Sequence, residues 1–127
     1  KHAAWEGQAD VVMADVPCSG LGIIRKKPDI RYKNPKELAQ LPLVQRAILE
    51  NASGYVRPGG TLVYSTCTVL PEENEDVTGD FLDKHPEFEP VRTAFPLPVG
   101  PCPGQVTLWP QRHGTDGFYI CRMRRKD

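Results

Sequence analysis

"ADVVMADVP", residues Ala9–Pro17, is a short and nearly continuous apolar run that ends at a proline. Such runs are typical of a strand buried on both faces, as in a parallel sheet. A second run, "TLVYSTC" (Thr61–Cys67), is rich in the β-branched and aromatic residues that favour strands. With helical sequence between them, the two runs predict a right-handed strand–helix–strand unit, and therefore an α/β fold.

The sequence between the two strands carries helix signals. "NPKE" (34–37) offers an N-cap asparagine, a proline at the first helical position and a glutamate at the capping-box position. Pro42 predicts a break or the start of a second helix. The stop signals in "RPGG" (57–60) predict that the helical region ends there. A core-facing stripe is predicted at helical spacing, formed by Val44, Ile48, Ala52 and Tyr55.

The second half of the chain predicts one more helix and a hairpin. "PEENEDVTGDFLDKHP" (71–86) begins and ends with proline, and its acidic first turns suit the positive end of a helix. The Pro-rich stretch 91–105 predicts irregular structure. "VTLWP" (106–110) and "GFYICRMRR" (117–125) are strand-like and separated by a short polar link, which predicts an antiparallel pair.

Composition bounds the kind of protein. The chain has 127 residues, of which 16 are basic and 16 acidic, so its net charge is zero. A domain that binds nucleic acid by itself is ordinarily basic, so this balance argues against that class. Its 39% hydrophobic and 25% charged content indicates a soluble globular domain, and no apolar run approaches the roughly 18 residues of a membrane span. The chain begins without methionine and reaches a strand almost at once, so we expect a piece of a longer protein.

The cysteines are widely spaced and include no C-x-x-C pair, so we predict reduced thiols and no metal site. Carboxyl ends of parallel strands lie side by side, and open α/β sheets bind ligands there. That rule places "DVPC" (15–18) and "STC" (65–67) on one rim, although a single strand-end cysteine is more often a packing residue. Cys102 and Cys121 are interpreted as structural, and the three histidines show no ligand or triad pattern.

Three segments together resemble a known family: "ADVPCSGLG" (14–22), "TLVYSTCTVLPEEN" (61–74) and "GTDGFYICRM" (114–123). The chain resembles the RNA cytosine-5-methyltransferases, most closely the bacterial ribosomal RNA small-subunit methyltransferase B group, also called Sun proteins. The resemblance runs from about Asp10 to Met123. It implies that residues 1–127 are the C-terminal part of a catalytic domain. The implied fold is the second half of a Rossmann-like S-adenosylmethionine-dependent methyltransferase sheet, with a C-terminal antiparallel hairpin.

The resemblance also implies roles for individual residues. Cys67 would be the nucleophile that adds to carbon 6 of cytosine, and Cys18 would assist release of the methylated RNA. Asp15 would bond the cytosine edge and lie near the methyl donor. Pro17 would shape the turn that aims Cys18, and Asp15 and Pro17 are the expected cofactor-binding residues. The basic loop after Cys18 predicts Arg25 and Lys27 as substrate-binding residues. The resemblance implies the same role for Asp116 and Phe118, with Gly117 in the same late motif.

The expected cofactor is S-adenosylmethionine and the expected partner is RNA, in particular ribosomal RNA in a bacterial cytoplasm, with no membrane contact. The Gly-rich cofactor turn of this fold does not occur in the chain, so we expect these 127 residues alone to bind the cofactor weakly or not at all and to be inactive. An exposed apolar edge at Val11–Asp15 would then favour a homodimer. Two alternatives stay open: a DNA cytosine-5-methyltransferase with Cys18 as nucleophile, and a non-catalytic α/β interaction domain.

Overall fold

The structure is a computed structural model that describes residues 3–18, 35–68, 70–91, 93–94, 101–102, 104–108 and 118–127. Two α-helices and seven strands occur in these ranges, besides short 3₁₀ turns at Ala3–Trp5 and Pro71–Glu73. In chain order they are β1 (Ala9–Asp15), α1 (Pro35–Ser53), β2 (Val56–Thr66), α2 (Glu75–Lys84), β3 (Phe88–Pro90), β4 (Thr93–Ala94), β5 (Pro101–Cys102), β6 (Gln105–Leu108) and β7 (Phe118–Arg125).

The main sheet is mixed. Its strand order is β1-β2-β7-β3, and β6 pairs with β7 as well. β1 and β2 are parallel, whereas β7 runs antiparallel to β2, β3 and β6. The predicted α/β class, the parallel β1–β2 unit and the C-terminal antiparallel pair are therefore confirmed.

Both helices cover the same face of this sheet. Leu49 of α1 and Val77 and Phe81 of α2 join one core with the inward residues of the strands. Alternate strand residues point into that core, since the side-chain direction repeats every two residues. The strand residues that join this core are Ala14, Val56, Leu62, Tyr64, Phe88, Tyr119, Cys121 and Met123.

The opposite face of β1 is open in the described part of the chain. Val11 is 59% exposed and Met13 is 72% exposed, so the prediction that this strand is buried on both faces is wrong here. The reason is that α1 and α2 pack on one side only. Among the residues that the structure describes, no strand pairs with the outer edge of β1, and the expected homodimer through that edge stays a prediction.

Helix α1 departs from the sequence prediction in two ways. It continues through Pro42 instead of breaking there. From residue 40 onward, the buried side chains of the helix are Gln45, Leu49 and Ser53, one residue later than the predicted stripe, while Val44 is 44% exposed. Polar partners offered to Gln45 by the loop after β1 and by Glu73 explain this choice of face. Ile48 and Ala52 do lie against the edge of the core.

The "RPGG" segment belongs to β2 and does not end the helix, which stops at Ser53. The β1–β2 register shifts between Ala9 and Val11, so residues 57–60 form an irregularity in the ladder. Both glycines suit it: Gly59 has a φ of 80°, and a Cβ on Gly60 would lie 2.9 Å from the carbonyl oxygen of Arg57. A glycine pair therefore permits a bulge inside a strand as well as a helix stop.

Two further boundaries differ from expectation. The acidic helix begins at Glu75, after the 3₁₀ turn, and it ends at Lys84. Within the stretch expected to be irregular, β4 and β5 form a two-stranded antiparallel ladder. No helix in the described ranges combines the length and apolar character needed to cross a bilayer.

His85 links the ends of α1 and α2. Its Nδ1 lies 2.8 Å from Glu87 Oε1 and its Nε2 lies 2.6 Å from Glu50 Oε2, and its ring stacks on Phe81. Burial alone would lower the pKa of His85, but the hydrogen bonds with Glu87 and Glu50 outweigh it, so the pKa is raised. The same hydrogen bond lowers the pKa of Glu87.

We predict that thermal stability falls as pH rises through the raised pKa of His85. A raised pKa in the folded state means that the stabilisation is complete below the ordinary value of 6.5 and disappears above the folded value. Because both carboxylates are solvent-exposed, the melting temperature should change by only roughly 2–4 °C. Thermal unfolding followed by circular dichroism between about pH 6 and 9 checks this. His85→Gln should flatten the profile, and an equally steep profile in that variant would contradict it.

Candidate active site

The two predicted thiol segments meet at one rim of the sheet. Asp15, the last residue of β1, is the parallel register partner of Ser65 in β2. The amide of Val16 donates to the carbonyl of Ser65 at 3.2 Å, which keeps the strands together as they end. The chain then reaches Cys18 on one side and Cys67 on the other.

The thiols are in direct contact. Cys18 Sγ lies 2.8 Å from Cys67 Sγ, although 49 residues separate them in sequence. The backbone amide of Cys67 also donates to Cys18 Sγ at 3.2 Å. Both side chains are half-buried and neither is in a disulfide, so the pair is accessible to a ligand at the rim. The predicted convergence of the two cysteines is therefore observed.

Asp15 ends β1 at the same rim, and because Ala14 faces the core, the Asp15 side chain lies on the face of the sheet away from the helices. It is exposed, and its Oδ1 accepts a hydrogen bond from Ser65 Oγ at 3.1 Å. Pro17, also exposed, lies between Asp15 and Cys18 in the segment that leaves the strand. A carboxylate and two thiols thus share one open edge, where an acidic hydrogen-bond acceptor and a sulfur nucleophile can act on the same ligand.

The turn that precedes Cys18 is hydrogen-bonded to α1. The fully buried side chain of Gln45 donates through Nε2 to the carbonyl oxygen of Pro17 at 2.9 Å and to Glu73 Oε1 at 3.0 Å. The backbone carbonyl of Glu73 in turn accepts a hydrogen bond from Tyr64 Oη at 2.5 Å. One amide therefore connects the Cys18 turn to the 3₁₀ turn that follows Cys67. Sequence reasoning missed this residue, because it treated the helix face by its apolar residues alone.

The turn that carries Cys67 is held by Asn74. The Asn74 side chain contacts both residues that flank Cys67, Thr66 and Thr68. Asn74 is fully buried, and the only sequence signal for it is its place at the end of the "PEEN" run. The sequence pattern alone predicts no role for it.

The remaining predicted residues divide into two groups. Phe118 begins β7, whose Tyr119 is the register partner of Thr66 at the end of β2, so Phe118 lies at the same rim as Cys67. Arg25, Lys27, Asp116 and Gly117 lie outside the described residues. Cys121 is buried in the core, and burial raises its pKa to about 11, so it is held as a neutral thiol and its interpretation as structural agrees with its surroundings.

We predict that Gln45→Met, which keeps the length of the side chain, lowers the free energy of unfolding by about 1–3 kcal/mol, because the Pro17 carbonyl and Glu73 lose a buried donor. Gln40→Met on the exposed part of the same helix is the matched control and should change it by less than about 0.5 kcal/mol. Urea unfolding measures both, and equal effects of the two substitutions would contradict a special role for the buried amide.

The mixed sheet, with β1 and β2 parallel and β7 antiparallel, is that of a Rossmann-like methyltransferase, as comparison with solved structures shows. A methyltransferase homolog protein from Pyrococcus horikoshii matches with a TM-score of 0.69 and 30% identity, over 91% of this chain and 39% of that one. NSun6 from Pyrococcus horikoshii, solved with SFG, matches with a TM-score of 0.70 and 28% identity, over 91% of this chain and 29% of that one.

The chain belongs to the 16S rRNA methyltransferase RsmB/F family, whose model matches residues 1–124. It is 45% identical over 125 residues to a probable ribosomal RNA small subunit methyltransferase B of Bacillus subtilis, covering 94% of this chain and 28% of the relative. The chain therefore spans less than a third of the length of that relative. The family predicted from the three sequence segments is confirmed.

Proposed function

We propose that this chain supplies the thiol pair of an enzyme that methylates carbon 5 of a cytosine in RNA, with small-subunit ribosomal RNA as the substrate. The observation that carries the proposal is the contact of Cys18 Sγ with Cys67 Sγ, 2.8 Å, at the carboxyl rim of β1 and β2. The family and the name of the Bacillus subtilis relative support ribosomal RNA as the substrate class. The zero net charge suggests that much of the RNA-binding surface lies in other parts of the enzyme.

The chemistry needs a sulfur nucleophile because carbon 5 of cytosine is a poor nucleophile by itself. The Cys67 thiolate adds to carbon 6, forms a C–S bond and turns the ring into an enamine, so that carbon 5 can accept the methyl group. A base then takes the carbon 5 proton, the C–S bond breaks and its electron pair returns to sulfur as the aromatic ring is restored. Cys18, in contact with Cys67 Sγ, assists this release.

The expected methyl donor is S-adenosylmethionine, which supplies a methyl group on a sulfonium. Support comes from NSun6, solved with SFG, an analogue of that cofactor. The exposed carboxylate of Asp15 fits a neighbour that bears positive charge or N–H and O–H groups, and Pro17 shapes the wall beside it. We assign Asp15 to the cytosine edge as well, where a carboxyl can assist protonation of ring nitrogen 3 during addition.

Substrate contacts are proposed for both sides of the rim. We propose that Phe118 lines the target pocket next to Cys67, which its position at the start of β7 supports, and that Asp116 shortly before it belongs to the same motif. Arg25 and Lys27 follow Cys18 in sequence and are proposed to contact RNA phosphates, which provide affinity and position rather than sequence reading. We propose that the enzyme acts in the cytoplasm, where ribosomal RNA is made.

The test is a covalent trap with the full-length protein. RNA that contains 5-fluorocytosine, incubated with S-adenosylmethionine, should give a complex that survives denaturation, because fluorine replaces the carbon 5 proton whose loss permits release. The same sequence as DNA should give none if RNA is the substrate. Absence of both the RNA complex and methyl incorporation into cytosine-containing ribosomal RNA would refute the proposal, whereas trapping only on DNA would favour the DNA alternative.

A further inference from the structure

The residues on either side of Cys67 are bound by one side chain. Asn74 Oδ1 accepts a hydrogen bond from Thr66 Oγ1 at 2.6 Å, and Asn74 Nδ2 donates to the carbonyl oxygen of Thr68 at 2.9 Å. Thr66, Thr68 and Asn74 are all at most 1% exposed. Such contacts are strong geometric restraints, because a buried polar group that loses its partner has no water to replace it.

The backbone of Asn74 is itself fixed to the helical layer. Its backbone amide donates to the carbonyl of Pro71 at 3.1 Å, and its carbonyl accepts from the amide of Thr78 at 3.0 Å. Asn74 therefore belongs to the junction between the 3₁₀ turn and α2. Any displacement of the Thr66–Thr68 turn would have to break contacts with a rigid element.

An amide is the side chain that this position requires. In the structure Thr66 donates its hydroxyl and Thr68 presents a carbonyl, so the side chain that joins them accepts one hydrogen bond and donates another. Aspartate has the same shape but cannot donate when ionised, and its charge would face the Thr68 carbonyl oxygen. Alanine would remove both contacts.

The geometry points to Asn74 as a positioning residue for Cys67, and we propose that it keeps Cys67 Sγ against Cys18 Sγ and aligned with the ring of the target base. The inference rests on the proposed function for its catalytic consequence, but the thiol geometry can be measured without catalysis. Because a displacement of about 1 Å of a reacting group can reduce the rate about 100-fold, loss of this restraint should be visible in turnover.

The first test measures whether the thiols stay together. Phenylarsine oxide captures two adjacent thiols by forming two As–S bonds and releasing one water, so its affinity for the protein reports the Cys18–Cys67 pair. Asn74→Ala should weaken this binding about tenfold or more, and Asn74→Asp should weaken it less. Cys18→Ala should abolish it, which assigns the signal to the pair.

A matched control separates positioning from general destabilisation. Ser53→Ala removes a buried hydroxyl at the C-terminal end of α1, where Ser53 Oγ donates to the carbonyl oxygen of Glu50 at 2.7 Å, away from the Thr66–Asn74–Thr68 contacts. It should lower the melting temperature as Asn74→Asp does, yet leave phenylarsine oxide binding unchanged. If both Asn74 variants bind the reagent as tightly as the unsubstituted protein while remaining folded by circular dichroism, the inference is overturned.

The second test uses the full-length protein with its RNA. Asn74→Asp should lower kcat, by up to about 100-fold, with KM within about twofold, because RNA contacts are unchanged while the nucleophile is misplaced. A kcat equal to that of the unsubstituted protein would overturn the inference. If arsenical binding falls as expected but the unsubstituted protein neither forms the fluorocytosine complex nor transfers methyl groups, the positioning role stands and the proposed function fails.

Discussion

Cys67→Ala in the full-length protein is expected to abolish both methyl transfer and the covalent complex with fluorocytosine RNA. The substitution removes the sulfur that we assign to carbon 6, and Cys18, although its Sγ is only 2.8 Å away, is left with the role of release. Loss of a covalent nucleophile reduces turnover by about 10⁴-fold or more. Gel electrophoresis under denaturing conditions detects the complex, and labelled methyl groups measure turnover.

Cys121→Ala is the matched thiol control for that experiment. Cys121 lies in β7 with its side chain buried in the core, and burial raises its pKa to about 11, so it should contribute packing and no nucleophile. Activity per folded molecule should stay within about twofold of the unsubstituted protein, with a lower melting temperature from the lost core volume. A covalent complex that persists in Cys67→Ala and disappears in Cys18→Ala would instead assign the nucleophile to Cys18, as the DNA alternative requires.

Cys18→Ala is expected to have a different effect: the covalent complex should form and then persist. The contact between the thiols, together with the Cys67 amide that donates to Cys18 Sγ, places Cys18 where it can act on the C–S bond of the adduct. Without it, release slows, and loss of a proton-transfer group typically reduces a rate by about 10²–10⁴-fold. Ordinary cytosine-containing RNA should then be captured, which is the distinguishing observation.

Two measurements define that result. Denaturing gels should show a Cys18→Ala complex with unmodified RNA that the unsubstituted protein does not accumulate, and the double variant Cys18→Ala/Cys67→Ala should show none. A Cys18→Ala protein that turns over at the original rate would remove Cys18 from the mechanism. If both single variants keep full activity, the non-catalytic reading of the thiol pair becomes the better one.

The sequence was sufficient for the features that depend on strand order. Two apolar runs separated by a helix predict parallel neighbouring strands, and parallel neighbours bring their carboxyl ends together. The strand order therefore predicted that Cys18 and Cys67, 49 positions apart in sequence, lie close together. The antiparallel pairing of β6 with β7 followed from two neighbouring strand-like segments joined by a short polar link. These features depend on repeated patterns that involve many residues.

The sequence was insufficient where a single tertiary contact outweighs a local preference. Val44 is apolar yet exposed, and Gln45 is polar yet buried, because Pro17 and Glu73 offer its amide two acceptors that no helical periodicity reveals. Pro42 suggests a helix break, but the following turns pack against the sheet and α1 continues. The glycines at 59 and 60 suit a bulge as well as a turn.

The same limit explains why Asn74 received no role. An asparagine before an acidic helix is ordinarily interpreted as an N-cap, yet its side chain makes no capping hydrogen bond and reaches back to Thr66 and Thr68 instead. Finding it from sequence would require knowing that the Cys67 turn folds over the start of that helix. The structure is needed to show that a buried amide lies next to the motif cysteine.

The pairing of Asp15 with Ser65 has a consequence for the folding of the protein. If β1 slipped by one residue along β2, Cys18 would travel about 3.3 Å and its side chain would switch sides. A kinetically trapped molecule of this kind would retain most of its secondary structure but lose its vicinal dithiol. Titration with a dithiol-specific reagent would therefore count correctly aligned molecules in a preparation, independently of how well folded the preparation looks by spectroscopy.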